Sequence, residues 1–342
     1  MAKLADITEE IRIILKILAV SLIAVTAVFL FFQGGSIVKS IFFPTPPAPP
    51  EQKFGKLPPA DFPKNTTGNP SYTINTLTGN LPENFKDRVN VYKIVKDTPS
   101  LVALDAVREK LKSLGFDQNE AKVSDSVYQW NNANGDTIQY DIFTNNFKIY
   151  SNFLNEDPPT SVRGVASTKK GAYQTTQTFL DAIGENTTDL DPDKATISFL
   201  KIQNGQLVAA DSQNDAQFVR LDLFQKDIDG KYKIYYPDLN SSPMYFIYRN
   251  EGDIPRIVDA GFTHFIPDTN ASSTYPLKTP EQAYEDLKKG QGLLFNPTGA
   301  KHIDITDVQQ GYYLGSNDQQ YLLPIIIFEG KDFTGLVSAV KD

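Results

Sequence analysis

The chain has 342 residues, with 41 Asp and Glu against 33 Lys and Arg and no cysteine. A formal charge of -8, with lysines spread along the chain, repels a phosphate backbone and argues against a nucleic-acid partner. The missing cysteine excludes disulfides, thiolate zinc sites and a cysteine nucleophile, and 40% hydrophobic residues is the content of a folded protein.

Residues 1–12 read as a short cytoplasmic tail. From 13 to 32 the sequence runs IILKILAVSLIAVTAVFLFF, long enough as a helix to cross a hydrocarbon core of roughly 30 Å. Its one charge, Lys16, lies near an end, where the side chain can snorkel. A cleaved signal peptide has a shorter apolar core and a small-x-small site, whereas this stretch ends in Phe29, Leu30, Phe31 and Phe32. The expectation is a single-pass transmembrane helix over 13–33. Lys3, Arg12 and Lys16 lie on its N-terminal side and Lys39 follows it, so the positive-inside rule puts the N-terminus in the cytoplasm and the rest outside the plasma membrane.

Residues 34–65 read as a juxtamembrane and proline-rich linker. The run PTPPAPPEQKFGKLPPADFPKN at 44–65 has too much proline for a helix or a central strand. A polyproline-type spacer holding a folded part away from the membrane is expected; the alternative is a PxxP ligand for an aromatic groove.

Three regions follow, expected at 72–155, 165–268 and 275–342. In the first, Thr98-Pro99 suits a helix start, Leu104, Val107, Leu111 and Leu114 form one apolar stripe, and Gly115 stops it. Strands are expected at 123–130, 137–143 and 147–151; in the middle one Ile138, Tyr140 and Ile142 alternate with polar residues. The second region offers a helix over 169–183 and strands near 195–203, 217–227, 232–236, 244–249 and 254–266, with Asp229-Gly230 as a hairpin turn. In the third, Thr279-Pro280-Glu281-Gln282 is a capping box, a short helix ends at Gly290, and strands are expected at 303–314, 320–329 and 336–340. A helix followed by an antiparallel meander therefore recurs, and the fold class is α+β.

The segment with Tyr-Pro-Leu at 275–277, the capped helix TPEQAYEDLKKGQG, the strand ending GYYLG and the strand YLLPIIIFEG resembles the PepSY-like domains of extracytoplasmic regulators such as YycI and YycH. The resemblance is best over 275–342 and looser over 72–154. It implies a single N-terminal anchor, an external α+β portion that contacts a membrane sensor kinase without catalysis, and a bacterial cell envelope as the setting. Tyr312, Tyr313 and Tyr321, with Tyr128 and Trp130 from the first region, are the candidate interaction surface. The same tyrosines, with Pro324, are also candidates for framework positions.

Catalytic and metal readings find little support. His302 and Asp304 share a strand face, but no third ligand is evident. Asp189, Asp191 and Asp193 begin like a calcium loop, yet Lys194 and Leu200 stand where glycine and glutamate are required. SxxK strings begin at Ser36, Ser167, Ser198 and Ser338 without an SDN or KTG partner, and Gly290 and Gly292 lack the third glycine of a dinucleotide loop. N-x-S/T triplets at Asn65, Asn186, Asn240 and Asn270 read as chance in a bacterial protein. No catalytic residue, metal or cofactor is assigned. The expectation is a non-catalytic regulatory or scaffolding protein binding an envelope or membrane protein; the alternatives are a structural component of an envelope assembly and a cell-envelope glycan or peptide hydrolase.

Overall fold

The computed structural model describes residues 49–341 apart from 66–67, 84, 96–101, 160–161, 252–253 and 317–318, together with Leu18, Ser21, Leu22 and Thr26. The tail 1–12, the rest of the expected span 13–33, the stretch 34–48 and the expected Thr98-Pro99 helix start lie outside the described residues. The four residues within the span are helical; the Thr26 hydroxyl donates to the Leu22 carbonyl at 2.8 Å, and Leu18 and Leu22 are exposed. Among the described residues no helix is long and apolar enough to cross a membrane. Met1–Pro49 is one unit and Pro50–Asp342 is a second, compact one, to which all the elements below belong.

The first elements in chain order are β1 (Ser71–Ile74), β2 (Arg88–Ile94), α1 (Ala103–Ser113), β3 (Gln118–Lys122), β4 (Val127–Asn131), β5 (Thr137–Asp141) and β6 (Phe147–Tyr150). Next come α2 (Lys169–Ile183), β7 (Thr196–Gln203), β8 (Gln206–Ala209), β9 (Phe218–Asp222), β10 (Ile234–Tyr235), β11 (Met244–Glu251) and β12 (Ile254–Phe262). The last are β13 (Pro267–Pro276), α3 (Pro280–Lys288), β14 (Leu293–Phe295), β15 (His302–Tyr313), β16 (Tyr321–Gly330) and β17 (Phe333–Ser338). The protein is therefore mixed α+β and built mostly of strands.

The helices form where their local signals lie. In α1 the stripe buries Val107 and Leu111, and Gly115 follows at φ +82, a conformation that glycine adopts without strain. The Thr168 hydroxyl caps α2 by accepting from the Gly171 amide, and Gly184 ends it in the left-handed conformation. Both halves of the expected capping box are present in α3.

The strands form two sheets. Nine lie in the antiparallel order β3-β4-β5-β6-β12-β11-β9-β7-β8. Eight form the other sheet, along the path β1-β15-β16-β17-β14, with β10 also on β15 and β2 joining both β13 and β16. The largest core cluster draws on both sheets and on α1, α2 and α3, including Val107, Phe179, Phe246, Leu287 and Phe328.

Sheet membership does not follow the expected regions. Within 72–155, β1 and β2 join the eight-stranded sheet and β3–β6 the nine-stranded one. The Asp229-Gly230 turn forms as expected, at φ 53 and 62, but the strand after it, β10, leaves to run parallel to β15. Only Gly311 on β15 permits that approach, because a Cβ there would lie 2.8 Å from the Lys233 carbonyl oxygen. The expected strand 217–227 ends at Asp222. The polar run Pro267–Pro276 becomes strand β13 by pairing with β2. Proline at both of its ends fits such an edge.

The described part of the linker is not a free spacer. In β16 the run YLLPIIIF is buried without alternation, the mark of a strand covered on both faces. Leu322, Ile326 and Phe328 enter the main core. Leu323, Ile325 and Ile327 face the other way, where Phe54, Leu57, Ala60 and Phe62 of the proline-rich segment, with Leu239, cover them. Apolar side chains spaced between the prolines give the segment something to bury, so it docks as a strap instead of standing off as a rod.

Candidate functional site

The strap and the sheet face beneath it form the site. At its start Glu51 and Lys53 donate through their backbone amides to the hydroxyls of Thr274 and Ser273, at 3.0 and 2.9 Å, and the Gln52 amide donates to the Thr274 carbonyl at 3.1 Å. One tyrosine then holds two strap residues: the Phe54 amide donates to the Tyr275 hydroxyl at 2.9 Å, and that hydroxyl donates to the Gly55 carbonyl at 3.0 Å. Further along, the Tyr313 hydroxyl donates to the Asp61 carbonyl at 3.1 Å. The Asn65 side chain closes the segment against β14, giving to the Gly292 carbonyl at 2.9 Å and taking from the Leu294 amide at 2.8 Å. Burial pushes the Tyr275 and Tyr313 hydroxyls above the ordinary tyrosine range, which keeps both protonated as donors.

Aromatic contacts fix the strap between these points. The Phe54 ring stacks on Tyr321 at 5.1 Å and on Tyr275 at 6.4 Å, with the Lys93 ammonium 5.3 Å from its centroid. Phe62 meets Tyr313 at 4.7 Å. Such contacts add to burial when an aromatic ring or a cation lies over a ring face.

Two open depressions border the strap. One, of about 1050 Å³, lies among strap residues 55–62 and Tyr275, Lys278, Gln291, Leu323 and Val340. The Lys278–Asp286 ion pair on its wall is 2.9 Å long and mostly buried. The other, of about 800 Å³, is lined by Phe54, Leu57, Pro58, Pro59, Gln319 and Tyr321, among others. Both amide atoms of Gln319 are buried and have no hydrogen-bond partner among the described residues. Walls of mixed polarity and open ends suit a peptide segment better than a small substrate.

The sequence-predicted interaction residues divide. Tyr321 lies at the site, partly buried. Tyr312 is wholly buried and Trp130 is 2% exposed, so as a contact surface these two are corrected to interior residues, whereas Tyr313 is buried beneath the strap, which it contacts through Asp61 and Phe62. Tyr312 donates to the Asn90 carbonyl at 2.6 Å, and the Trp130 indole donates to Glu120 at 3.0 Å. Tyr128 stacks on Trp130 at 6.1 Å and packs on the main core, away from the strap's contacts. What composition and spacing missed were Phe54, Phe62 and Gln319. The signal for the first two was present: an aromatic residue inside a proline-rich run has no reason to stay in water.

His302 is exposed, 3.6 Å from Asp304, and hydrogen-bonds to Ser71 and Thr73. Asp189 is held by His264 at 3.0 Å and by Gln225 at 2.7 Å, a pin between the loop after α2 and the end of β12. Among the described residues no group of three or more His, Asp and Glu side chains is placed to hold a metal. Ser198 is exposed on β7 while Lys201 pairs with Asp211, and the Ser167 hydroxyl donates to the Gly164 carbonyl.

No family model matches the chain, and no curated protein matches it. Among solved structures it is similar to the crystal structure of an uncharacterized protein from Eubacterium rectale ATCC 33656, at 11% identity and a TM-score of 0.37 over 73% of this chain and 82% of that one. A likeness of that extent carries no conclusion about fold or function.

Proposed function

We propose that the chain is a non-catalytic, membrane-anchored extracytoplasmic regulatory or scaffolding protein that binds another membrane or envelope protein, a sensor kinase being the kind of partner the resemblance implies. Residues 13–33 anchor it in the plasma membrane with the N-terminus in the cytoplasm, and the unit from Pro50 onward lies outside. On this reading 275–342 is a PepSY-like, YycI-like module and 72–155 a looser copy of it. The order of elements supports the repeat: α1 is followed by β3–β6 and α3 by β14–β17.

The observation that carries the proposal is the docked strap. The segment leading out of the predicted span is built into the folded unit through Phe54, Leu57 and Phe62. A protein that works by presenting a surface gains from such a strap, since it belongs to the same folded unit as the face bearing the depressions. The residues that carry the resemblance, Tyr275 and the β15–β17 strands, form the floor of that face. Exposed Leu18 and Leu22 on helical backbone suit side chains that meet lipid.

Affinity purification of the full-length chain from detergent-solubilised membranes, with mass spectrometry of the eluate, tests the reading. The expected result is one membrane protein recovered in near-stoichiometric amount. Symmetric oligomers alone would favour the envelope-assembly reading. Turnover of cell-wall glycan or peptide by the purified protein would replace regulation with hydrolysis.

A further inference from the structure

We propose that the outer face of the eight-stranded sheet is a receptor for an extended peptide segment of a protein partner, and that residues 50–62 are its occupant in cis. The partner segment carries an aromatic side chain where this chain has Phe54 and ordinary, non-proline residues where it has Pro58 and Pro59. The inference rests on the regulatory reading above and names its contact surface.

The present occupant specifies the chemistry. Tyr275, Tyr321 and Lys93 surround the Phe54 ring, an arrangement that favours an aromatic over an aliphatic side chain. The hydroxyls of Ser273, Thr274, Tyr275 and Tyr313 take or give hydrogen bonds to strap backbone groups. Backbone capture of this kind reads an extended conformation and tolerates different side chains between the anchors.

The fit in cis is also incomplete. Gln319 has a carbonyl and an amide nitrogen, both buried and both without a partner among the described residues. It lines the same depression as Pro58 and Pro59, and proline has no N–H to offer. A segment with an N–H at either place can donate to the Gln319 oxygen, which Pro58 and Pro59 cannot do, removing the cost of leaving that buried acceptor unpaired. The strap holds its place by being tethered, which gives it a high effective concentration, and a partner displaces it by the better match. Strap docking and partner binding are then mutually exclusive on this face.

The absence of cysteine makes a clean test possible on the full-length chain in detergent. Lys53→Cys with Ser273→Cys joins neighbouring strap and sheet positions, since the Lys53 amide already reaches the Ser273 hydroxyl, and locks the strap when oxidised. Phe54→Ala with Phe62→Ala weakens it. The probes are two fluorescent peptides, one with the sequence of residues 50–65 and one carrying Pro58→Ala and Pro59→Ala within it. The substituted peptide is expected to bind the weakened protein at least about tenfold more tightly than the wild type, given the competing tether. It is also expected to bind more tightly than the native-sequence peptide, a preference that Gln319→Leu removes. The locked protein is expected to bind neither peptide until reduced. The proposal is overturned if locked and reduced forms bind alike, if the preference survives Gln319→Leu, or if neither peptide binds a weakened protein whose circular dichroism matches the wild type. A partner recovered equally by locked and reduced protein overturns this inference and leaves the regulatory reading standing. Peptide binding as expected, with no partner recovered from membranes, has the opposite meaning.

Discussion

Two aspartates show how differently one residue type is set by its surroundings. Burial is the largest influence on Asp259 and pushes its carboxyl above the usual range, against opposing pulls from the Tyr245 hydroxyl, Arg220 and Lys148. Because the folded state holds this proton more tightly, the associated stability is present at low pH and is lost as pH rises through the raised value. Asp259→Asn removes the titration while keeping an acceptor for Tyr245. Its urea midpoint is expected to match the wild type near pH 3 and exceed it at pH 7. Asp189 has the opposite sign: burial again raises it, but the hydrogen bonds and charge of His264, with the Gln225 hydrogen bond, together leave it below the usual range. Its contribution is present above the unfolded value of about 3.9 and is lost as pH falls through the depressed one. Asp189→Asn is expected to lower stability at pH 7 by roughly 1 to 3 kcal/mol, the scale of a buried charge-assisted hydrogen bond, and to converge on the wild type in acid. Equal midpoints for variant and wild type across this pH range would remove the stated role from either residue. The sequence singled out Asp189 for its spacing to Asp191 and Asp193, whereas its partners are Gln225 and His264. The tyrosines were legible as important, but Tyr313 acts on the carbonyl of Asp61, some 250 positions away in the chain, and no local pattern carries such a pairing.

Elements were legible where the signal is local. The stripe of α1, the limits of α2, the capping box of α3 and the hairpin β15–β16 are all written in residues a few positions apart. Strands that exist through their neighbours were not legible: β13 is largely polar and is held by β2, and β3 is exposed along its whole length yet pairs with β4. The strand β16 was legible, but not its burial on both faces, because its second cover lies in a proline-rich segment that composition assigns to a spacer. The crossing of β10 onto β15 had one trace, Gly311 within a strand, since an isolated strand glycine marks close backbone approach. Gly311→Ala places a methyl against the Lys233 carbonyl and the Ile327 side chain, and is expected to cost about 1 to 3 kcal/mol by overpacking. Hydrogen exchange should localise the loss to residues 233–236 and the facing part of β15. A wild-type exchange pattern there would mean that β10 is not seated through this glycine.

The resemblance divides the chain into consecutive regions, but the packing of the unit from Pro50 onward crosses those divisions. For 275–342 the floor strand β16 needs β2 beside it at Tyr321 and Leu322, and β15 takes β1 and β10 on its other edge. The outer face of β16 needs the strap, and its inner face shares a core with side chains of the nine-stranded sheet. Cut out alone, residues 275–342 would lose these strand partners and expose both faces of β16, in a fragment small enough to have little burial to spare. That fragment is expected to be unfolded or aggregated, with no cooperative transition in urea, whereas residues 50–342 retain every one of these contacts. For the longer chain, circular dichroism and the fluorescence of Trp130, which lies in the shared core, are expected to report coincident urea transitions. Weakening the strap by Phe62→Ala is expected to shift both curves together, because Phe62 covers a sheet face that belongs to the same core-forming strands; half-burial of the ring puts the shift at about 1 to 3 kcal/mol. A stable 275–342 fragment, or separated transitions in the longer chain, would show that the regions are independent domains and that the shared core does not bind them into one folding unit.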